Sequence, residues 1–213
     1  MSALWNLTSY LYKIFRHRFP FSQILEAENK NLRKLLRTLT PPDSVLDLGT
    51  GHGNALKQFH AVFGSDRNLL KKPWLVALDF SFKMLKKINS LETIDLIQAE
   101  AANLPIKNKT ISLILVIGVT EYLQNLPRFI AEITRILTPN GKMIISISPQ
   151  NWIFYSRFLL GKKLFGVSEA AFAATITNAG LLIKQQLSSL MQTQFLIIRK
   201  PGASFFNESN SPG

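Results

Sequence analysis

The sequence predicts an α/β domain: a seven-stranded, mostly parallel sheet with helices on both faces, an antiparallel last strand and an N-terminal helical cover. Three observations predict it. Short apolar runs alternate with helical periodicity from Val45 to Ile147, the rhythm of a parallel sheet. The first run, Ser44-Val45-Leu46-Asp47-Leu48, breaks into Gly49-Thr50-Gly51-His52-Gly53 before helical periodicity resumes at Ala55-Leu56, which reads as strand, tight turn, helix. Two late runs, Leu181 to Ser188 and Thr193 to Lys200, are separated by a short turn and so pair antiparallel at the end of the sheet.

The chain of 213 residues suits one well-buried domain and is short for two. The expected division is a helical cap over 1–40, the main domain over 41–201 and a disordered tail over 202–213. Hydrophobic residues make up 46% of the chain and the mean hydropathy is +0.12, so a full core is available. The longest apolar run, Ile111 to Ile117, falls far short of the roughly 20 residues a bilayer span needs. Lys13, Arg16 and Arg18 follow the N-terminal apolar residues rather than precede them, which makes a poor secretory signal. Cytoplasmic residence is expected, with a peripheral place at the inner membrane face as the variant. The absence of cysteine excludes disulfides, thiolate metal sites and cysteine nucleophiles. His17, His52 and His60 do not stand at metal-ligand spacing from acids, so no metal is expected.

Taken in order, Leu4, Leu7, Leu11, Ile14 and Phe15 form one helical stripe with Trp5, Tyr10 and Tyr12 beside it. This segment either lies on a membrane or packs on the domain and roofs a pocket. Ser22 is a candidate N-cap for a second helix running to about Thr38, with Leu25, Leu32, Leu35, Leu36 and Leu39 inward and Pro41-Pro42 ending it. After the glycine turn, Ala55, Leu56, Phe59, Val62 and Phe63 continue a helix, and residues 64–73 are a polar, basic loop. Trp74 to Leu78 is a buried parallel strand ending in Asp79, followed by a helix with Met84, Leu85 and Ile88 inward. Thr93 to Ile97 is a third strand and Ile111 to Ile117 a fourth, entered through the turn Lys107-Asn108-Lys109. Pro127 opens a helix whose core face is Phe129, Ile130, Ile133, Ile136 and Leu137. Pro139-Asn140-Gly141 reads as a turn before a fifth strand, Lys142 to Ser148. Asn151 to Leu160 is aromatic and irregular, and Ser168 to Asn178 is a helix stopped at Gly180.

In an open α/β sheet, ligands bind beyond the carboxyl ends of the strands at the switch point. That rule brings Asp47 to Gly53, Asp79, Glu100 and Ile117 to Tyr122 to one rim. An acid closing a second strand can accept both hydroxyls of a ribose.

Five stretches in this order resemble class I S-adenosylmethionine-dependent methyltransferases of the small-molecule and lipid-acting kind, whose fold is Rossmann-like. They are Val45 to Gly53, Ala77 to Leu85, Ala99 to Ile106, Val119-Thr120-Glu121-Tyr122-Leu123, and Ile133 to Lys142. The resemblance implies S-adenosyl-L-methionine as cofactor and assigns its contacts. Gly49, Thr50, Gly51 and Gly53 pass under the methionine portion, and Asp47 helps hold its ammonium through the turn or a water. Asp79 holds the ribose hydroxyls, Phe80 packs beside the adenine, Glu100 accepts from its exocyclic amine, and the Ala101 N–H faces a ring nitrogen. Ile117 and Gly118 line the methyl-transfer end. Two departures stand out: Ser112 and Asn103 occupy positions where the family carries aspartate or a second acid. Tyr122 replaces the histidine of related quinone-biosynthesis enzymes, so Glu121 or Tyr122 is left to orient or deprotonate a substrate hydroxyl. Glu121 could equally cap the next helix.

The net charge of +12 is concentrated in the flanks, +5 over residues 1–40 and +5 over 150–200, against +3 over 41–149. A basic surface draws nucleic acid, an anionic membrane or an anionic substrate, or merely keeps the protein soluble. The favoured acceptor is a small-molecule or lipid-like substrate, admitted beneath the N-terminal helices and the 149–166 segment. There Trp152, Phe154, Tyr155, Phe158 and Phe165 would line an apolar pocket, with Arg157, Lys162 and Lys163 at its mouth. No Asn/Asp-Pro-Pro-aromatic motif follows the fourth strand, which disfavours base amino-methylation. The rival is a non-catalytic protein on the same fold, binding RNA or an anionic membrane through its basic flanks. Oligomeric state is left open by the sequence.

Overall fold

The computed structural model describes residues 21–64, 71–88, 94–148 and 164–199. The helix expected over 4–15, most of the 64–73 loop, the 149–163 segment with Trp152, Phe154, Tyr155, Arg157, Phe158, Lys162 and Lys163, and the 202–213 tail lie outside the described residues.

Along the chain run α1 (Phe21–Leu36), β1 (Ser44–Leu48), α2 (Asn54–Phe63), β2 (Trp74–Asp79), α3 (Phe82–Leu85), β3 (Ile94–Gln98) and β4 (Ile111–Val116). A 3-10 turn (Thr120–Tyr122), α4 (Leu126–Ile136), β5 (Leu137–Ile147), α5 (Glu169–Asn178), β6 (Leu181–Ser188) and β7 (Thr193–Arg199) follow. The strands form one sheet in the order β3-β2-β1-β4-β5-β7-β6. Strands β1 to β5 are parallel, and β7 runs antiparallel between β5 and β6. This is the expected fold class. The chain winds outward from β1 to β3 and then returns to β4 on the other side of β1, so the switch point lies between the ends of β1 and β4.

Period-two alternation sends the strand residues to two apolar layers. Leu46, Leu48, Val76, Ile114, Val116 and Ile145 pack with Phe129 and Ile133 of α4 and Phe172 and Ile176 of α5. Val45, Ala77, Leu113, Leu115 and Ile144 pack on the other face with Leu32, Leu35 and Leu36 of α1 and Leu56 and Phe59 of α2. Each fully buried Leu, Ile or Phe contributes on the order of 1.5–3 kcal/mol by leaving water. The edge strand β3 is covered least, and Leu96 remains 49% exposed.

Several boundaries differ from the sequence reading. Helix α1 already includes Ser22 and ends at Leu36, where Thr38 N–H and Leu39 N–H turn back to the carbonyls of Leu35 and Leu36, so Pro41-Pro42 lies beyond a helix that has already ended. Leu25 is only half-buried. Helix α3 is a single turn burying Leu85. Pro139-Asn140-Gly141 is no separate turn but an irregularity inside the 11-residue β5: Ile111 pairs with Leu137, whereas Leu113 already pairs with Lys142. A side chain at Gly141 would meet Leu137 at 2.7 Å, so the chain folds tightly on itself there. Leu137 itself belongs to β5 rather than to the helix.

Ser112, where an acid was expected, knits β1 to β4. Its Oγ donates to the Ser44 carbonyl at 2.8 Å and accepts from Ser44 N–H at 2.9 Å, while Ser44 Oγ accepts from Ser112 N–H at 2.9 Å. Two small hydroxyls therefore do structurally what a charged acceptor would do, without burying a charge.

Candidate active site

The loop after β1 is built on left-handed backbone. Gly49, Gly51 and Gly53 have φ of 69°, 55° and 72°. Gly49 N–H and Thr50 N–H both donate to the Leu78 carbonyl at the end of β2 (2.7 and 3.0 Å), which folds the loop over the neighbouring strand. At Gly49 a Cβ would lie 2.3 Å from Val119 Cγ2, so this glycine is required by close approach as well as by φ. At Gly51 a Cβ would meet nothing nearer than 4.0 Å, and at Gly118, also left-handed with φ 72°, nothing within 4 Å. The first glycine thus closes the loop on the β4 exit, and the other two border open space.

Two carboxylates hold this loop from different sides. Asp47 is buried at 2% exposure, and its Oδ2 accepts from Thr50 Oγ1 at 2.7 Å. Burial pushes its carboxyl up to about 7, against the lowering effect of the Thr50 hydroxyl and the Leu56 backbone, and nearby Asp79 raises it further. Asp79, at the end of β2, accepts from Gly51 N–H with Oδ2 (2.9 Å) and from Ser81 N–H with Oδ1 (2.8 Å). Asp79 is half-buried and Phe80 beside it is 53% exposed, so both border solvent at the rim.

The exit of β4 forms the other wall. Gly118 N–H donates to Ser146 Oγ (2.9 Å), and Thr120 Oγ1 donates to the Ser146 carbonyl (2.8 Å). Glu121 is buried, its Oε2 accepts from Ser148 Oγ, and its carbonyl accepts from Phe165 N–H at 2.7 Å. Tyr122 is half-buried beside it. The capping alternative for Glu121 does not hold: Asn125 caps α4, its Oδ1 accepting from Arg128 N–H at 3.0 Å. Burying an acid needs another reason, and Ser148 supplies its hydrogen bond.

Glu100 is exposed and Ala101 half-buried after β3. The loop that follows them is clamped by α4. Leu104 N–H donates to Glu132 Oε1 (2.7 Å), and Arg135 donates to the carbonyls of Leu104 (3.1 Å) and Ile106 (2.8 Å). Its hydrogen bond to Arg135 holds the Glu132 carboxyl below the usual range. Arg135 and Glu132 pair at 2.8 Å.

The glycine loop, both loop-holding acids and the β4 exit therefore stand at the carboxyl ends of adjacent strands. Residues 46–145 match the family model described as a methyltransferase domain. That match spans the glycine loop, Asp79 and the β4 exit. Solved structures share the fold over most of the chain. A SAM-dependent methyltransferase from Aquifex aeolicus superposes with a TM-score of 0.62 at 17% identity, over 80% of this chain and 90% of that one. A protein from Pyrococcus horikoshii OT3 gives 0.68 at 15% identity, over 90% of this chain and 99% of that one. Magnesium protoporphyrin IX methyltransferase from Synechocystis PCC 6803, solved with bound SAH, gives 0.65 at 14% identity, over 86% and 88%. No curated protein matches the sequence. The chain therefore has the fold of S-adenosylmethionine-dependent methyltransferases.

The residue types at these strand ends fit S-adenosylmethionine. A cradle open above Gly51 and Gly118 suits a ligand lying against backbone, and Asp79 offers acceptors for hydroxyls. Sequence reasoning placed Val119 on the rim without its close approach to Gly49, and missed Ser146 and Ser148. Their only signal was position, next to glycines and at the end of a rim strand, and a hydroxyl there looks like any strand serine.

Proposed function

We propose that the chain binds S-adenosylmethionine across the ends of β1, β2 and β4 and transfers its methyl group to a small-molecule or lipid-like acceptor. The observation that carries this reading is the meeting of the left-handed glycine loop with Asp79 through the Gly51 N–H at 2.9 Å. It places a carboxylate and an open backbone cradle side by side, as a nucleoside with an amino-acid tail requires. Gly49, Thr50, Gly51 and Gly53 hold the tail, with Asp47 drawing its ammonium through the turn. Asp79 takes the ribose hydroxyls, Phe80 covers the adenine, and Glu100 and the Ala101 N–H meet its polar edge.

When bound, the cofactor would supply an electrophilic methyl carbon on a sulfonium, taken in line by a nucleophile as the C–S bond breaks and the neutral thioether leaves. Positioning is then the main task of the protein. Ile117 and Gly118 shape the transfer end, and Ser146 fixes Gly118 through its N–H. Glu121, held by Ser148, is the group available to take the proton of a hydroxyl acceptor, with Tyr122 beside it.

Incubation with methyl-labelled cofactor and separate small-molecule, lipid and RNA fractions tests the acceptor class. Label in small-molecule or lipid products supports the reading. Label confined to RNA refutes it, and binding of RNA or anionic vesicles with no label anywhere supports the non-catalytic alternative.

A further inference from the structure

On the sheet face covered by α1, polar side chains gather where apolar ones would be expected. Glu28 and Asn29 of α1 are 6% and 9% exposed, and Gln194 of β7 is 1% exposed. Gln194 Nε2 donates to the Glu28 carbonyl at 3.1 Å, and Gln192 Nε2 donates to Glu28 Oε2 at 3.1 Å. Both partners are pure acceptors, so neither amide can be turned round without setting oxygen against oxygen. The carbonyl oxygens of Gln192 and Gln194 are therefore fixed in place, and both are cut off from solvent with no hydrogen-bond donor among the described residues. Buried polar atoms are nearly always paired, so two unpaired acceptors on two glutamines that both bond Glu28 call for an explanation.

Their location is informative. Gln194 pairs with Ser146 across β5 and β7, and Ser146 Oγ receives the Gly118 N–H. Directly paired residues on one sheet face stand about 4.5–5.5 Å apart at Cβ. Gln194 is thus the cross-strand neighbour of the residue that fixes the transfer end.

We infer that Gln192 and Gln194 form an acceptor subsite that receives a donor-bearing head group, an ammonium or a hydroxyl, of the molecule to be methylated. This inference rests on the proposed methyl transfer and names the chemistry of its substrate. Carbonyl oxygens accept from N–H and O–H alike, and they reject anions and bare hydrocarbon. Donation is the shared chemistry, and the two sources are separable by probe.

Thermal unfolding of the full chain saturated with S-adenosylhomocysteine, with n-butylammonium or 1-butanol added at millimolar concentration, tests this. At a tenfold excess over its dissociation constant, a bound probe raises the midpoint by about 3 °C or more. The rise is expected in the parent and absent in Gln194→Met and in Gln192→Met, with homocysteine-nucleoside affinity within about twofold of the parent showing that the variants are folded. A rise with n-butylammonium alone identifies an ammonium site, and with 1-butanol alone a hydroxyl site. No rise with either probe, or equal rises in parent and variants, overturns the inference and leaves the carbonyls to water. If S-adenosylhomocysteine does not bind while a probe still does, the cofactor reading fails and the subsite stands.

Discussion

The proposed role of Asp47 at the cofactor's ammonium predicts that cofactor affinity depends on pH. Its carboxyl titrates near 7 in the free protein because it is buried, with Thr50 and the Leu56 backbone only partly offsetting the cost of its charge. A ligand ammonium drawn toward the turn favours the ionised form, so binding expels a proton wherever Asp47 starts protonated. With a free value of about 7, roughly one molecule in ten is ionised at pH 6 and nine in ten at pH 8. S-adenosylhomocysteine should therefore bind about tenfold more tightly at pH 8 than at pH 6. Calorimetry in buffers of different ionisation enthalpy should show about half a proton released at pH 7. In Asp47→Asn the pH dependence should flatten. Folding stability runs the other way: the protonated carboxyl is the form the fold prefers, so its contribution is present below 3.8 and lost as pH rises through about 7. Parent affinity that is flat or falls between pH 6 and 8, with the asparagine variant behaving identically, would refute the reasoning.

Three further perturbations have outcomes fixed by geometry and charge. Gly49→Ala should lower stability by roughly 1–2 kcal/mol for the left-handed backbone, with a further loss from the clash with Val119, and Val119→Ala in the same chain should restore the second part but not the first. Denaturant titrations of the parent and these two variants separate the terms. Arg135→Met should release the 104–108 loop, with faster amide exchange there and a loss on the order of 2 kcal/mol. Because Glu132 is held below 4.5, its contribution is present above that value and lost as pH falls through its lower folded value, so Glu132→Gln should flatten the acid limb of stability.

Much of the fold was legible because periodicity reports burial directly. The alternation from Val45 to Ile147 contained all five parallel strands, and the hairpin at the end followed from two runs with a short turn. Pro139-Asn140-Gly141 misled because turn residues announce a change of direction, whereas here they form a bulge within a paired strand. At the site, the glycine turn was readable because the backbone turns left-handed after β1, and Asp79 because it closes a buried strand. Ser146, Ser148, Gln192 and Gln194 were not, since their meaning comes from neighbours on other strands. Gln194 meets Glu28 across 166 residues, a contact no local pattern encodes. Glu121 was ambiguous between acid and helix cap until Asn125 was seen to hold the cap.

Calorimetric titration of the full chain with S-adenosylhomocysteine, in the parent and in Asp79→Ala, tests the central claim most directly. The account predicts binding of one ligand per chain that weakens by at least about tenfold when the Asp79 carboxylate is removed. Absence of binding by the parent, or equal affinity in the two proteins, would contradict it.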